Sequence, residues 1–508
     1  MTQAHKDRLT AVDAAFLHQE KQASHMHVGA LATFEGPPPS REDFLDHLES
    51  RLHLVPRYRQ KLAFPPLQMG RPFWVDDPSF NIDYHVRHTA LPRPGNPDQL
   101  RQLTGRIFSQ RLDRSKPLWE VWLVQGLERG EFALISKTHH ALVDGVSGVD
   151  IATVLFDLSP VPSETPGADG WTPQPEPSDA DLVAEGVKGL IRTPLDLTGR
   201  ALGAVWRPGR SLEQARESAE GLGELVWAGL NPAPDVPLNV PIGPHRRVWW
   251  VDSRLADFKQ IKDTLGGTVN DVVLTVVAGA LGRWLRSRGV RTEGLELRAL
   301  VPVSIRGEDE RGALGNRIAA MRAPLPVYVQ DPVERLRIVR EAMGHLKESK
   351  QALGAEVIAG LQGFAPPTLL AQASRLNFST RLFNLIVTNV PGPQFPLYLL
   401  GREMQSIVPI AFLPENQALA IAIMSYNGGI EFGLLADYDA MPDIESFGRY
   451  LEETLDELLG AAPEASSAKG GRKATPRSNG AGEAEEAAVD GREGVPPGGR
   501  AGDGGDAG

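Results

Sequence analysis

The residues best able to do chemistry sit together as His139-His140-Ala141-Leu142-Val143-Asp144-Gly145. A neutral imidazole is well matched to take a hydroxyl proton near neutral pH and hand it to a leaving group. Asp144, four positions after His140, either orients the ring directly or pairs with an arginine and holds the turn in shape. Gly145 permits dihedrals or a close backbone approach that a side chain would block. Each piece also has a plain structural use: paired histidines often serve as surface or buried polar residues, and Asp-Gly is a common turn. A metal site is not expected, because zinc needs three or four ligands and no third stands out.

The pair must be positioned by the element before it. EFALISKTHH at 131–140 reads as a strand that ends on the two histidines, the kind of place where a side chain is both fixed and exposed. LWEVWLVQGL at 118–127 is its hairpin partner across a Glu-Arg-Gly turn. After the motif, the spacing of Val146, Val149, Val154, Leu155 and Leu158 predicts a helix over 144–158. Upstream, 26–34 reads as a strand and 41–52 as an amphipathic helix with Phe44, Leu45, Leu48 and Leu52 on one side. Residues 80–86 alternate as a strand through Ile82, Tyr84 and Val86. Strands mixed with helices make this first block α/β, ending near residue 160.

Pro, Gly and acidic residues crowd 159–184, helix-like pieces follow at 185–230, and a stiff Pro-rich stretch occupies 231–247. A second α/β block spans 248–460. Its long helix begins at a cap on Thr268 or Asn270 and stops at Gly289. A strand at 296–306, a helix at 331–350, a hairpin turning at Asn427–Gly429 and a final helix near 442–459 complete it. From 461 to 508 almost nothing can build a core, and a disordered tail is expected. The expected divisions are therefore 1–160, 161–247, 248–460 and 461–508.

Composition narrows the function. The chain has 508 residues, enough for about two domains, with 41% apolar residues to build their cores. Its formal charge of -11 argues against a broad nucleic-acid-binding surface, and the absence of cysteine removes thiolate metal sites, disulfides and a Cys nucleophile. The charged opening lacks a signal-peptide core, and the apolar run Val272 to Leu281 is too short to span a bilayer. No G-x-S-x-G elbow is present to anchor a serine hydrolase.

The motif string also carries a resemblance. HHALVDG is similar to the HHxxxDG motif of the bacterial wax ester synthase/diacylglycerol acyltransferase family, whose looser HxxxD part recurs in the chloramphenicol acetyltransferase-like and condensation-domain superfamily. Pro117-Leu118-Trp119 resembles the family's PLW motif and Asn270-Asp271 its ND motif. LTAVDAAFLHQEKQASHMHVGAL, PLNVPIGPHRR, VPVSIR, LGNRI and TNVPGP look like further family stretches, in family order.

The resemblance implies two chloramphenicol acetyltransferase-like domains, each a mixed sheet with helices, and an active-site tunnel at their junction. Long-chain acyl-CoA, a co-substrate and not a cofactor, would come from one side. Diacylglycerol or a fatty alcohol would come from the other, with diacylglycerol placed slightly ahead. His140 would be the general base and His139 a secondary catalytic candidate. Asp144 would hold its turn through Arg306, with Gly145 completing the motif and Asp271 as structural support. Asn270 is either an oxyanion donor or a helix cap. Pro117, Leu118 and Trp119 would pack beside the reacting centre on the substrate side, and Asn389, with Pro391 and Gly392, would form a crossing loop. Arg246 and Arg247 either meet CoA phosphates or form a solvated patch. The substrates imply peripheral contact with the inner membrane or lipid droplets. Two rivals remain open: a condensation-type enzyme using another acceptor or a carrier-bound acyl group, and a non-catalytic lipid-binding relative.

Overall fold

A computed structural model describes residues 7–66, 71–143, 155–162, 170–182, 184, 231–304, 318–348 and 380–462. The chain opens with β1 (Asp7–Arg8), α1 (Ala11–Gln19), β2 (His27–Phe34) and α2 (Arg41–Glu49). It continues through β3 (Gln60–Ala63), β4 (Phe73–Asp76), α3 (Ile82–His85), β5 (Val86–Ala90), α4 (Pro97–Phe108), β6 (Trp119–Gln125) and β7 (Phe132–His139). Further along come β8 (Arg246–Arg254), α5 (Leu255–Leu265), α6 (Val269–Ser287), β9 (Glu296–Ser304), β10 (Ile318–Pro326) and α7 (Pro332–Glu348). The last described part holds β11 (Leu385–Pro391), β12 (Tyr398–Leu399), β13 (Arg402–Ile410), β14 (Leu419–Tyr426), β15 (Gly429–Asp437) and α8 (Ile444–Ala461).

Two six-stranded mixed sheets carry the fold, ordered β12-β13-β2-β7-β6-β5 and β10-β9-β11-β14-β15-β8, beside a small β1-β4-β3 sheet. β5 and β6 run parallel in the first, and β11 runs parallel to both β9 and β14 in the second. The first sheet is not made from one stretch of sequence. Asn389 and Pro391, expected in a crossing loop, instead pair along β14 as part of β11; the crossing itself, residues 392–397, leads to β12, which pairs with β13, and β13 pairs with β2 in the first sheet.

Period-two burial explains the layers. On β14, Leu419, Ile421 and Ile423 face the core around the long helix α6, whereas Ala420 and Ala422 face the opposite layer with Leu31, Ile135, Ile107 and Val408. Small residues let the layers close up: a Cβ at Gly433 of β15 would lie 1.7 Å from the Pro409 carbonyl of β13. α6 is buried along nearly its whole length, which is why its sequence reads as an unbroken apolar run. Its start is a capping box: the Thr268 hydroxyl accepts from the Asp271 N–H, and the Thr268 N–H donates to the Asp271 carboxylate at 2.8 Å. Asp271 is thus a structural residue, and Thr268, not Asn270, is the cap. The hairpin β14–β15 turns through Asn427 and Gly428, both at positive φ, as a two-residue turn requires.

The expected strand at 80–86 is corrected. The Asn81 side chain accepts from the Asp83 N–H and starts a helical turn, α3, so the strand begins only at Val86. A local side-chain cap outcompeted the alternation there. The sequence reading also named no element for β1, β3, β4, α4, β8, α5, β10, β11, β12 and β13. The expectations for 144–154, 185–230 and 463–508, and for Asp144, Gly145 and Arg306, lie outside the described residues.

Candidate active site

β7 delivers the histidine pair. His27 on β2 lies directly opposite His139, and the His139 N–H donates to the Leu118 carbonyl at 2.9 Å. The strand then breaks into a single tight turn, His140–Leu142, because the His139 imidazole turns back and its Nδ1 accepts from the Ala141 N–H at 3.1 Å. The His140 N–H donates to the Met26 carbonyl at 2.8 Å, so the turn is tied to the residue before β2. The His140 ring is half-buried between two phenylalanines. It stacks on Phe16 of α1 with centroids 3.9 Å apart, and meets Phe412 edge-on at 5.5 Å.

Behind the pair lies a buried polar group. Glu20, the residue that ends α1, faces His139 Nε2 at 3.8 Å and His27 Nε2 at 3.5 Å. Arg114 Nε donates to its Oε2 at 2.8 Å and Arg111 Nη2 at 3.3 Å. Burial alone would raise the Glu20 carboxyl, but the His27 contact and the Arg114 guanidinium outweigh it and hold the group well below the usual carboxylate range. Burial pushes His27 down to about 4. It also pushes His139 well below the ordinary histidine value, helped by the neighbouring His27. His139 is therefore neutral at pH 7, with Nδ1 taken as an acceptor and its proton on Nε2. Lys137, fully buried on the same face, donates to the Ile107 and Gln110 carbonyls at 3.0 and 3.1 Å and closes the end of α4.

A cavity of about 260 Å³ opens on the other face of β2 and β7. One wall is Val28, Ala30, Leu134, Ser136 and Thr138; the facing wall is Val390, Pro391, Met424 and Tyr426, at the carboxyl ends of the parallel strands β11 and β14. Val143, just past the His140 turn, also lines it. Two of its polar side chains, Ser136 and Tyr426, are already bonded. Ser136 Oγ accepts from the Ala30 N–H, while Tyr426 Oη accepts from the Leu397 N–H and donates to the Met404 carbonyl. Such a cavity suits hydrocarbon.

The other sequence candidates fall into separate places. Leu118 and Trp119 are fully buried under the histidine strand, with Trp119 Nε1 donating to the Tyr58 carbonyl at 2.8 Å, and Pro117 precedes them. Asn389 Nδ2 donates to Asn270 Oδ1 at 3.3 Å, joining β11 to the start of α6 beside the cavity wall. Arg246 is buried, and its guanidinium is spent on the carbonyls of Ala23, Gly243 and His245. Arg247 lies over the Tyr438 ring at 3.7 Å and donates to the Tyr438 carbonyl. Arg246 thus braces the chain from a buried position, while Arg247 is half-buried against Tyr438. The sequence reading passed over Phe16, Glu20, His27, Arg114 and Phe412. Glu20 did carry a signal, since a carboxylate at a helix C-terminus opposes the helix dipole and needs a reason to be there. Among the described residues, no group of His, Asp and Glu is arranged to hold a metal.

The two mixed sheets, together with the family and structural matches, place the chain among acyltransferases of the chloramphenicol acetyltransferase-like superfamily. The chain belongs to the wax ester synthase/diacylglycerol acyltransferase family: the catalytic-domain family model matches residues 9–273 and the C-terminal-domain model residues 314–459. It is 33% identical over 457 residues to the "probable diacyglycerol O-acyltransferase tgs1" of Mycobacterium tuberculosis, covering 89% of this chain and 96% of that protein. It is likewise 33% identical to the same organism's tgs2, over 468 residues and 98% of that protein. The solved wax ester synthase/diacylglycerol acyltransferase of Marinobacter aquaeolei VT8 superposes with a TM-score of 0.63 at 28% identity, covering 90% of this chain and 99% of that one. The first condensation domain of the calcium-dependent antibiotic synthetase shares the fold, with a TM-score of 0.55 at 16% identity. The protein is an O-acyltransferase of lipid synthesis.

Proposed function

We propose that this enzyme transfers a long-chain acyl group from acyl-CoA to the hydroxyl of diacylglycerol or of a long-chain alcohol, with His140 as general base. The acceptor proton passes to the imidazole as the oxygen attacks the thioester carbonyl. The tetrahedral intermediate then expels the CoA thiolate, which takes the proton back from the imidazolium. Proton count balances, and no acyl-enzyme is required. Asn270, steered by Asn389, is the amide donor for the developing oxyanion. The Asp144–Arg306 pairing is kept as the support of the motif's far side, on sequence grounds.

The observation that carries this reading is the apolar cavity whose lining includes Thr138 and Val143, on either side of the His140 turn. Hydrocarbon bound there would lead its reacting end toward the imidazole and keep water from the thioester. We take the cavity as part of a passage between the two sheets through which the substrates meet. The similarity to proteins named as diacylglycerol acyltransferases supports diacylglycerol as the leading acceptor, and the solved relative's double name supports the alcohol as the second.

Substrates of this kind lie in lipid surfaces, so the enzyme works in peripheral contact with a membrane or lipid droplet. Among the described residues, no single helix is long and apolar enough to cross a membrane. The pair α5 and α6, bent by 100°, qualifies only when the two are joined, and α6 is buried in the core.

The test is incubation of the full chain with a long-chain acyl-CoA and, in parallel, diacylglycerol or hexadecanol dispersed in vesicles, with CoA release and ester mass both followed. Triacylglycerol or wax ester appearing in step with CoA is expected. CoA release without ester from either acceptor would overturn the assignment.

A further inference from the structure

α1 and its C-terminal cap touch the histidine pair at two points four residues apart in sequence. Phe16 stacks on His140, and Glu20, whose N–H donates to the Phe16 carbonyl, faces His139. Residues i and i+4 lie on one helix face, so the two contacts cannot move independently. Taking His140 as the base, we propose that Glu20 is a positioning residue for acyl transfer: through His139 it fixes the turn that holds the His140 ring against Phe16.

The physical chain has three links. Arg114 and Arg111 anchor the Glu20 carboxylate, and Arg114 Nη2 also donates to the Leu17 carbonyl, which locks that carboxylate to the end of α1. The carboxylate then favours the His139 tautomer with the proton on Nε2, the nitrogen that faces it. That tautomer leaves Nδ1 as an acceptor for the Ala141 N–H, the bond that turns the backbone at His140. With the other tautomer, two N–H groups would point at each other and the turn would open. His139 is buried and neutral, so it serves as a fixed bracket and not as a second proton carrier. The carboxylate lies 3.8 Å from Nε2, which is electrostatic reach, not a hydrogen bond, and fits a role of biasing a tautomer.

The test is a cycle of kcat and KM measurements on the full chain with palmitoyl-CoA and diacylglycerol, for the native enzyme, E20Q, H139N and E20Q/H139N. Asparagine at 139 keeps a side-chain acceptor for the Ala141 N–H and removes the ring nitrogen that faces Glu20. In the native background E20Q is expected to lower kcat about 100-fold, the cost of a misplaced catalytic group, with KM for acyl-CoA nearly unchanged. In the H139N background the same change is expected to alter kcat less than about 2-fold, because the turn no longer depends on a tautomer. An equal loss in both backgrounds would mean that Glu20 does not act through His139.

A readout independent of these variants is the 15N spectrum of histidine-labelled native enzyme. A neutral His139 protonated on Nε2 is expected at pH 7; the Nδ1-protonated form or a charged ring overturns the inference. H140A separates the two layers of the argument. If it keeps native turnover, the base assignment falls and the Glu20 role with it. If H140A is inactive while E20Q runs at the native rate, only the Glu20 role falls.

Discussion

Ala30 lies on β2 opposite Ser136, and its methyl group faces the cavity. Its backbone N–H bonds to Ser136 Oγ, so replacing the side chain leaves the strand pairing in place. Ala30→Phe would push a ring into a space of about 260 Å³ that we assign to hydrocarbon. If the ring displaces about four methylenes of chain at about 0.8 kcal/mol each, the lost binding is about 3 kcal/mol. That corresponds to a fall of roughly 200-fold in kcat/KM for a sixteen-carbon chain. A chain of eight carbons, too short to reach the blocked region, should change by less than about 3-fold on the same scale. The assay is kcat/KM across acyl-CoA lengths at a fixed acceptor, repeated across alcohol lengths at a fixed acyl-CoA. Whichever series becomes length-dependent names the arm of the passage that the cavity serves. A loss of equal size at every length in both series would refute the reasoning, because a plugged hydrocarbon site must discriminate by length.

Three further outcomes follow from the packing and the buried charges. Gly433→Ala should lower the urea midpoint by the equivalent of about 1–3 kcal/mol, since the added Cβ meets the Pro409 backbone of the other sheet; an unchanged midpoint would mean the sheets separate freely there. Lys137→Met should cost about 3–5 kcal/mol in the same assay, because it strands two carbonyls at the end of α4 and the nearby Glu120 carboxylate. For pH, the buried His27 is held at about 4 against 6.5 in an unfolded chain. Between those values the unfolded state binds more protons at this group, so the stability His27 contributes falls as pH drops through that window, by about 3 kcal/mol from this group alone. Glu20, held below the usual carboxylate range, adds its own loss only as pH falls below 4.5. Following the His27 imidazole itself by NMR from pH 7 to 4 reads the first of these apart from the other buried groups, and a ring already charged at pH 5.5 would contradict it.

Elements with a strong period were legible in the sequence: the β6–β7 hairpin, the β14–β15 hairpin with its Asn-Gly turn, and the long apolar helix α6. So was the end of β7 at the histidine pair. The crossing of β12 and β13 into the first sheet was not legible, because the pairing of β13 with β2 spans more than half of the chain and leaves no local pattern. Asn81 hid a helical turn inside an alternating stretch. The support behind the histidines was hidden for a similar reason. Glu20 and Arg114 are far apart in sequence and meet only because α1 and the segment after α4 pack against the same strand end. Arg246, an ordinary basic residue by sequence, proved to be a buried brace between three carbonyls.

The central claim is that His140 takes the acceptor proton. The most direct test is a single-turnover experiment with saturating long-chain acyl-CoA and diacylglycerol, comparing native enzyme with His140→Gln, which keeps the size and polarity of the side chain but cannot serve as a base. Acyl-CoA affinity should be unchanged, and the rate of ester formation should fall by about 10²–10⁴-fold. Ester formed at the native rate by His140→Gln, with the fold and acyl-CoA binding intact, would contradict the claim.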